Sequence, residues 1–464
     1  MAGSIGIGDP GRSTARGARS AGVFYQELLD GDSRPVPPVL RLESPLATGI
    51  TRVPVERYTS RAFHDLEVEK VWKRVWQMAC REEEIPEVGD YTVYEIADLS
   101  FLVVRTNPHE FKAFYNACLH RGRQLREFDG KRASEFRCPF HGWAWELDGT
   151  LKEVVCAWDF PDLKLEEYHL PEVQVGTWGG FIFINPDPEA APLAEFLGAL
   201  PEHFARWPLE QKYKQAHVAK ILRCNWKVAQ EAFMEAYHVV ATHPQLLQSL
   251  GDSNSQYDVF GNFSRAITPG GTPSPHLRQP PDQQQVMDSL LDKQLDEPSP
   301  VPLVAGMTAR SAAAAAGREG LRPLLGDAVD QFCDAEFADS IYYTLFPNFH
   351  PWGAFNRIVY RFRPYGNDPD VSIMECMFLA PCPEGKPRPP AASIHWLDAD
   401  EDWVSAPELG MLARVFNQDT YNLPKVQLGL KTMKQPFVTF SSYNETKIRH
   451  FHTLLAQWTG VEQP

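Results

Sequence analysis

Cys118-Leu119-His120-Arg121-Gly122 and Cys138-Pro139-Phe140-His141-Gly142-Trp143 decide how this chain is read, because each stretch offers one thiolate and one imidazole. Seventeen residues separate the two half-sites, His120 from Cys138. A zinc finger pairs cysteine with cysteine on one arm and histidine with histidine on the other, around one tetrahedral ion. Each arm of this chain mixes the types. The mixture suits a cluster of two irons, one held by two cysteines and the other by two histidines. A mixed Cys2His2 zinc site is the competing reading of the same residues. Gly122, Gly142 and Pro139 fit tight loops at hairpin tips, since glycine lets the backbone approach closely and proline presets a turn.

Working outward, residues 91–96, 101–105 and 111–115 are short strand-like runs separated by polar turns. Residues 179–185, followed by Pro186-Asp187-Pro188, read as a last strand and an exit. These runs predict an all-β N-terminal domain over residues 51–190, entered through a helical pattern at 60–74 (Phe63, Leu66, Val68, Val71, Trp72). Residues 1–50 are rich in Gly, Pro, Arg and Ser without a period, and predict a flexible leader or a surface arm. A formal GxGxxG at Gly6–Gly11 has no strand before it and carries Pro10 inside it, so it fails as a dinucleotide fingerprint.

Beyond 190, residues 190–260 read as mainly helical, and 261–330 as an irregular insertion with a proline-rich stretch and an alanine run. Residues 340–346, 357–363 and 371–379 read as strands, and 408–416 and 444–458 as closing helices. Strands and helices in separate runs predict an α+β second domain over 191–464, an antiparallel sheet with helices.

A chain of 464 residues can bury two cores. The net charge of −15 argues against nucleic acid and anionic membrane as partners, because both would repel it. Apart from Cys118 and Cys138, the cysteines form no framework, which makes reduced thiols and a cytoplasmic setting the default. No apolar run approaches a membrane span.

A second constellation lies at Glu231-Ala-Phe-Met-Glu235-Ala-Tyr-His238-Val-Val-Ala-Thr-His243-Pro244. Histidines five apart would stand roughly 140° from each other on an unbroken helix. Pro244 disfavours helical geometry at His243, so a break there lets both imidazoles turn to one ion. Alone, such a pair is more often two satisfied polar groups. Beside a redox cluster, two histidines plus a carboxylate make the donor set of oxygen-activating non-haem iron.

Cluster motif first and E-x2-H-x4-H about a hundred residues later, the chain resembles the large (alpha, terminal oxygenase) subunit of Rieske non-haem iron oxygenases, aromatic-ring-hydroxylating type, over residues 60–460. The resemblance implies a Rieske 2Fe-2S domain with its cluster on Cys118, His120, Cys138 and His141, followed by a catalytic domain of helix-grip type. It implies a mononuclear Fe(II) on His238, His243 and Asp419, the last from Asn417-Gln418-Asp419-Thr420, with Asp398, Asp400 and Asp402 as rivals and a helix cap as the bland reading. Glu235 falls where the family carries a bridging carboxylate, usually Asp, and Glu231 is expected to play a structural part.

The function so implied is a terminal oxygenase that takes NAD(P)H-derived electrons from a separate ferredoxin or reductase. It would use dioxygen to dihydroxylate a small hydrophobic, aromatic substrate, with monooxygenation or O/N-demethylation as the alternative. A non-catalytic Rieske electron carrier is the distant one. The family's assembly is a homotrimer, in some members with a small beta subunit. Six basic residues against three acidic ones between Arg121 and Arg137 suggest a basic docking patch for an acidic donor. Apolar residues at 232–234 and 239–240 and aromatics at 346–352 suggest an apolar pocket, with His350 unassigned.

Overall fold

The computed structural model describes residues 23–46, 49–292, 302–383 and 385–462. The stretch carrying the GxGxxG and residues 1–22 of the expected leader lie outside them.

The N-terminal domain is built on a six-stranded antiparallel sheet, in the order Gln77–Arg81, Phe181–Asn185, Glu172–Trp178, Glu110–Tyr115, Leu99–Asn107, Tyr91–Ile96. A second sheet of three very short strands, Phe136–Arg137, Ala144–Trp145 and Leu151–Glu153, stands beside it. The expected strand at 179–185 begins only at Phe181, because Gly179 and Gly180 take φ of +61° and +76° and make the hairpin turn. A side chain at Gly180 would meet the Arg81 guanidinium at 2.7 Å. The approach helix Arg61–Glu67 starts at Ser60, whose Oγ accepts from Phe63 N at 3.3 Å, and continues into a wider turn over Val68–Trp72.

The second domain holds an eight-stranded sheet, Gln256–Phe260, Phe263–Thr268, Ser340–Leu345, Phe349–Pro351, Ile358–Pro364, Ser372–Pro381, Lys212–Leu222, His395–Leu397, antiparallel except at the last pair. One face packs on the helix Leu412–Thr432, with Val218, Tyr360, Phe362 and Met374 against Phe416, Leu423 and Leu430. The other face joins the first domain in one shared core, where Phe181 and Phe183 pack edge-on against Phe349.

Three expectations fail in this domain. Lys212–Leu222 is an eleven-residue strand in a region read as helical. Its lysines disguised it: Lys214 and Lys220 are buried, one paired to Glu84 at 2.6 Å and the other donating to the Asp398 carbonyl at 2.8 Å. The irregular insertion begins with a fully buried strand, Phe263–Thr268, and includes helices Gln283–Asp292 and Ala309–Leu325. The closing helix expected at 408–416 runs instead over Leu412–Thr432, straight through Pro424. Residues 23–46, part of the expected leader or arm, pack on this domain. Tyr25, Leu29 and Leu40 are buried, Tyr25 Oη donates to Asp339 at 2.8 Å and Ser33 Oγ to Asp334 at 2.7 Å. Among the described residues no helix is long and apolar enough to cross a membrane, and all eight cysteines are free.

Candidate metal centres

The two Cys/His loops are near copies of each other in backbone geometry. Cys118 N donates to Arg123 O at 2.8 Å and Cys138 N to Trp143 O at 2.7 Å; Gly122 N returns to Cys118 O and Gly142 N to Cys138 O. Each loop turns on a glycine of positive φ, +74° at Gly122 and +80° at Gly142. The local reason is the glycine four residues after each cysteine, which lets the chain fold back over the cysteine carbonyl.

The Cys118 and Cys138 side chains are buried and adjacent, and burial pushes the Cys118 thiol up, with Cys138 adding to it. The rings of His120 and His141 approach to 4.7 Å. His120 stacks on Trp143 at 5.1 Å and 8°, while His141 is exposed at the domain surface. Two adjacent buried thiols under two adjacent imidazoles fit a cluster ligated by sulfur at its inner iron and nitrogen at its outer one.

Three of the six residues of the expected basic patch are paired with carboxylates. Arg123 pairs with Glu127, Lys131 with Asp90, and Arg137 with Glu135 and Glu153. Arg126 donates to the carbonyls of Leu125, Glu135 and Arg137. Phe140, beside His141, is 54% exposed, with Arg121 over its ring.

The second centre is assembled from two distant segments. Asn225 caps the helix Trp226–Glu231, accepting from Lys227 N at 3.1 Å, and the chain then leaves helical form until Val239–Thr242. His238 precedes this short helix and His243 ends it, with φ −126° and ψ 55°, outside the helical region that Pro244 disfavours. Asp419 comes from the middle of the helix Leu412–Thr432 and is 6% exposed, so it caps nothing. Ligating atoms of His238, His243 and Asp419 lie within 4.8 Å of one another. Asp419 Oδ1 is 2.7 Å from His243 Nε2 and 3.5 Å from His238 Nε2. The rival Asp400 pairs with Arg223 at the surface, and the Asp398 carbonyl serves Lys220.

Each histidine is held through its other nitrogen. His238 Nδ1 meets Glu235 Oε1 at 2.7 Å, and His243 Nδ1 meets Gln418 Oε1 at 2.8 Å. Both acceptors fix the tautomer that leaves Nε2 facing Asp419. Burial pulls the His238 pKa down, but Glu235 and then Asp419 outweigh it and hold it at about 9. Gln418, which Gln245 Nε2 anchors at 2.8 Å, escaped the sequence reading; its adjacency to Asp419 was the available signal. The rest of that helix is pinned as well. Asn417 accepts from Trp403 N at 2.9 Å, and Gln427 from Asn225 N at 3.0 Å, tying the carboxylate's helix to the one that leads to the histidines.

Glu231 is part of a buried network: Tyr58 Oη lies 3.0 Å and His452 Nε2 2.8 Å from its Oε1. Burial pushes its carboxyl up to about 8. His350, fully buried between Thr344 and Gln230, is held well below its usual pKa by burial.

Comparison with known proteins agrees with this layout. Residues 202–460 match the family described as ring hydroxylating alpha subunit (catalytic domain), and residues 75–164 match the Rieske [2Fe-2S] domain. The carnitine monooxygenase oxygenase subunit of Escherichia coli (strain K12) is 29% identical over 220 residues, covering 46% of this chain and 57% of that protein. The biphenyl 2,3-dioxygenase subunit alpha of Rhodococcus jostii (strain RHA1) is 31% identical over 196 residues, 40% of this chain and 42% of that one. The chain thus spans about half the length of the curated relatives it matches. A solved quaternary ammonium Rieske monooxygenase superposes with a TM-score of 0.62 at 18% identity, covering 88% of this chain and 94% of that one.

Proposed function

We propose, from the premise that this chain belongs to the ring-hydroxylating alpha-subunit family, that it is a terminal oxygenase which inserts one atom of dioxygen into a quaternary ammonium substrate. One observation carries the oxygenase reading: a buried two-histidine, one-carboxylate set stands in the same chain as a twin-loop two-cysteine, two-histidine set. Cys118 and Cys138, with His120 and His141, would hold the 2Fe-2S cluster, and His238, His243 and Asp419 the Fe(II). When bound, the cluster supplies electrons singly and the mononuclear iron activates dioxygen.

The chain's own groups do the positioning. Glu235 accepts a hydrogen bond from Nδ1–H of His238, and Gln418 one from Nδ1–H of His243, so both imidazoles present Nε2 to the metal. Glu235 Oε2 also accepts from His238 N at 3.0 Å, clamping the side chain to the turn. Its carboxylate would form the link to a neighbouring subunit's cluster histidine in a trimer, with electrons coming from a separate ferredoxin or reductase.

The expected aromatic substrate and ring dihydroxylation give way to a cationic substrate and monooxygenation, because the carnitine relative and the quaternary ammonium neighbour both point there. The likeness to a biphenyl dioxygenase subunit keeps dihydroxylation as the second reading. Oxygen placed on a carbon next to the cationic nitrogen gives a carbinol that breaks into an amine and an aldehyde. Two electrons and two protons turn the other oxygen atom into water. Turnover with a donor reductase under labelled dioxygen separates the readings: one labelled atom in an aldehyde or hydroxylated product from carnitine, betaine or choline supports monooxygenation. A diol with two labelled atoms from biphenyl, and no reaction with the cations, overturns it.

A further inference from the structure

Side chains of the strand Ile358–Pro364 alternate between two surroundings, as a pleated strand dictates. Tyr360 and Phe362 join the core under the helix that carries Asp419. Arg361 and Arg363 face the first domain instead: Arg361 Nη1 donates to the carbonyls of Met78 at 2.9 Å and Ala79 at 2.7 Å, and Arg363 Nη1 to that of Glu95 at 2.8 Å. Between the domains on this face lies a cavity of about 450 Å³, with His217, Arg361, Arg363, Glu95, Phe128 and Trp396 among its lining residues. That volume suits a small ligand. None of the lining residues belongs to either metal centre.

The buried floor and the exposed mouth of this cavity carry opposite charge. On the floor two guanidiniums share one carboxylate: Glu375, fully buried, accepts from Arg361 Nε at 2.6 Å and Nη2 at 2.7 Å, and from Arg363 Nε at 3.2 Å. Lys214 is matched by Glu84 at 2.6 Å, and His217, whose Nδ1 accepts from Lys214 Nζ at 3.0 Å, is held neutral by burial and then by that lysine. One positive charge is left over. Arg363 Nη2 has no partner among the described residues. At the mouth stand Phe128, 78% exposed, and Trp396, 46% exposed, with the exposed carboxylates of Glu95 and Asp129. Glu127, the other acid there, pairs with Arg123, whereas Glu95 Oε1 meets only Gln124 Nε2, at 3.5 Å. A ligand that is only an anion would meet the acids of the mouth, and one that is only a cation the surplus charge of the floor. A molecule with one charge of each sign at its two ends satisfies both.

We infer that this cavity between the domains is a second small-molecule site, for a zwitterion of betaine type, its carboxylate on Arg363 and its quaternary ammonium among Phe128, Trp396, Glu95 and Asp129. A guanidinium with a free N–H pair makes charge-assisted hydrogen bonds to a carboxylate. A tetraalkyl nitrogen has no N–H to satisfy, so aromatic faces with carboxylates nearby suit it. The site is independent of the proposed function, since neither iron takes part in it.

The test is fluorine NMR of the full-length, metal-loaded protein carrying 5-fluorotryptophan, with the Trp396 signal assigned through Trp396→Phe. Titration with γ-butyrobetaine should move that signal saturably. Choline, which lacks the carboxylate, and 5,5-dimethylhexanoate, which has carbon in place of the charged nitrogen, should each bind at least about tenfold more weakly. Arg363→Gln should weaken γ-butyrobetaine by at least about tenfold, and Arg363→Lys by less. Glu95→Gln, at an exposed position whose backbone carbonyl still serves Arg363, should weaken γ-butyrobetaine while sparing 5,5-dimethylhexanoate. A Trp396 signal that does not move in the wild type overturns the inference, as does an affinity unchanged in both Arg363→Gln and Glu95→Gln. Choline or 5,5-dimethylhexanoate binding as tightly as γ-butyrobetaine overturns the zwitterion assignment. Turnover is not read, so the outcome is separate from which substrate the iron oxidises.

Discussion

The two candidate metal centres lie in one chain and are built in opposite ways. The cluster loops occupy one local stretch, Cys118 to His141, and each closes on itself through backbone hydrogen bonds around a glycine. The mononuclear site joins His238 and His243 to an aspartate far along the chain, and its geometry depends on two helices held together by Gln427 and Asn225. A loop that closes locally is robust to changes elsewhere. A site closed by tertiary contacts is exposed to every residue that sets the helix register.

The sharpest way to break the comparison is Asp419→Ala. It should remove the mononuclear iron and lower turnover by about a thousandfold or more, while the visible spectrum of the cluster stays unchanged; metal analysis should fall from about three irons per chain to about two. Cluster bleaching in that variant would show that the sites are not independently built. Gln418→Leu should be milder, weakening Fe(II) binding by about 10- to 100-fold through a loosened His243, as read by metal-buffered titration.

Glu231 probes the tertiary side through pH. Burial holds its carboxyl at about 8 against an ordinary 4.5, so between those values the folded chain keeps a proton that the unfolded chain has lost. Stability from this group is therefore fully present below about pH 4.5 and declines as pH rises toward 8. The melting temperature of Glu231→Gln relative to wild type should rise steadily from pH 5 to pH 8, and a flat difference would refute the assignment. The smallest effect tests the twin loops. Gly122→Ala should cost about 1 kcal/mol from its positive φ alone, and Gly142→Ala measurably more, because its Cβ would stand 2.9 Å from Val155.

What could be read before folding follows the same division. The cluster loops, the strands Tyr91–Ile96 and Glu110–Tyr115 and the break at His243 were legible because spacing, alternation and proline act locally. The strand Lys212–Leu222 was not, since the pairing that lets Lys214 be buried comes from Glu84 in the other domain. The helix through Pro424 was not either. A proline removes one helical hydrogen bond, and only contacts such as Trp403 to Asn417 and Gln427 to Asn225 hold the helix across it.

By itself, the sequence determined the donor types and their spacing, and so the class of metal each set suits, because ligand chemistry belongs to residue identity. Only the tertiary structure decided that Gln418 supports His243 and that three of the six basic residues of the cluster loops are already paired with carboxylates. The reason is physical: burial and pairing are properties of what a side chain meets, and that partner can be as near in sequence as Glu127 is to Arg123 or as far as Gln418 is from His243.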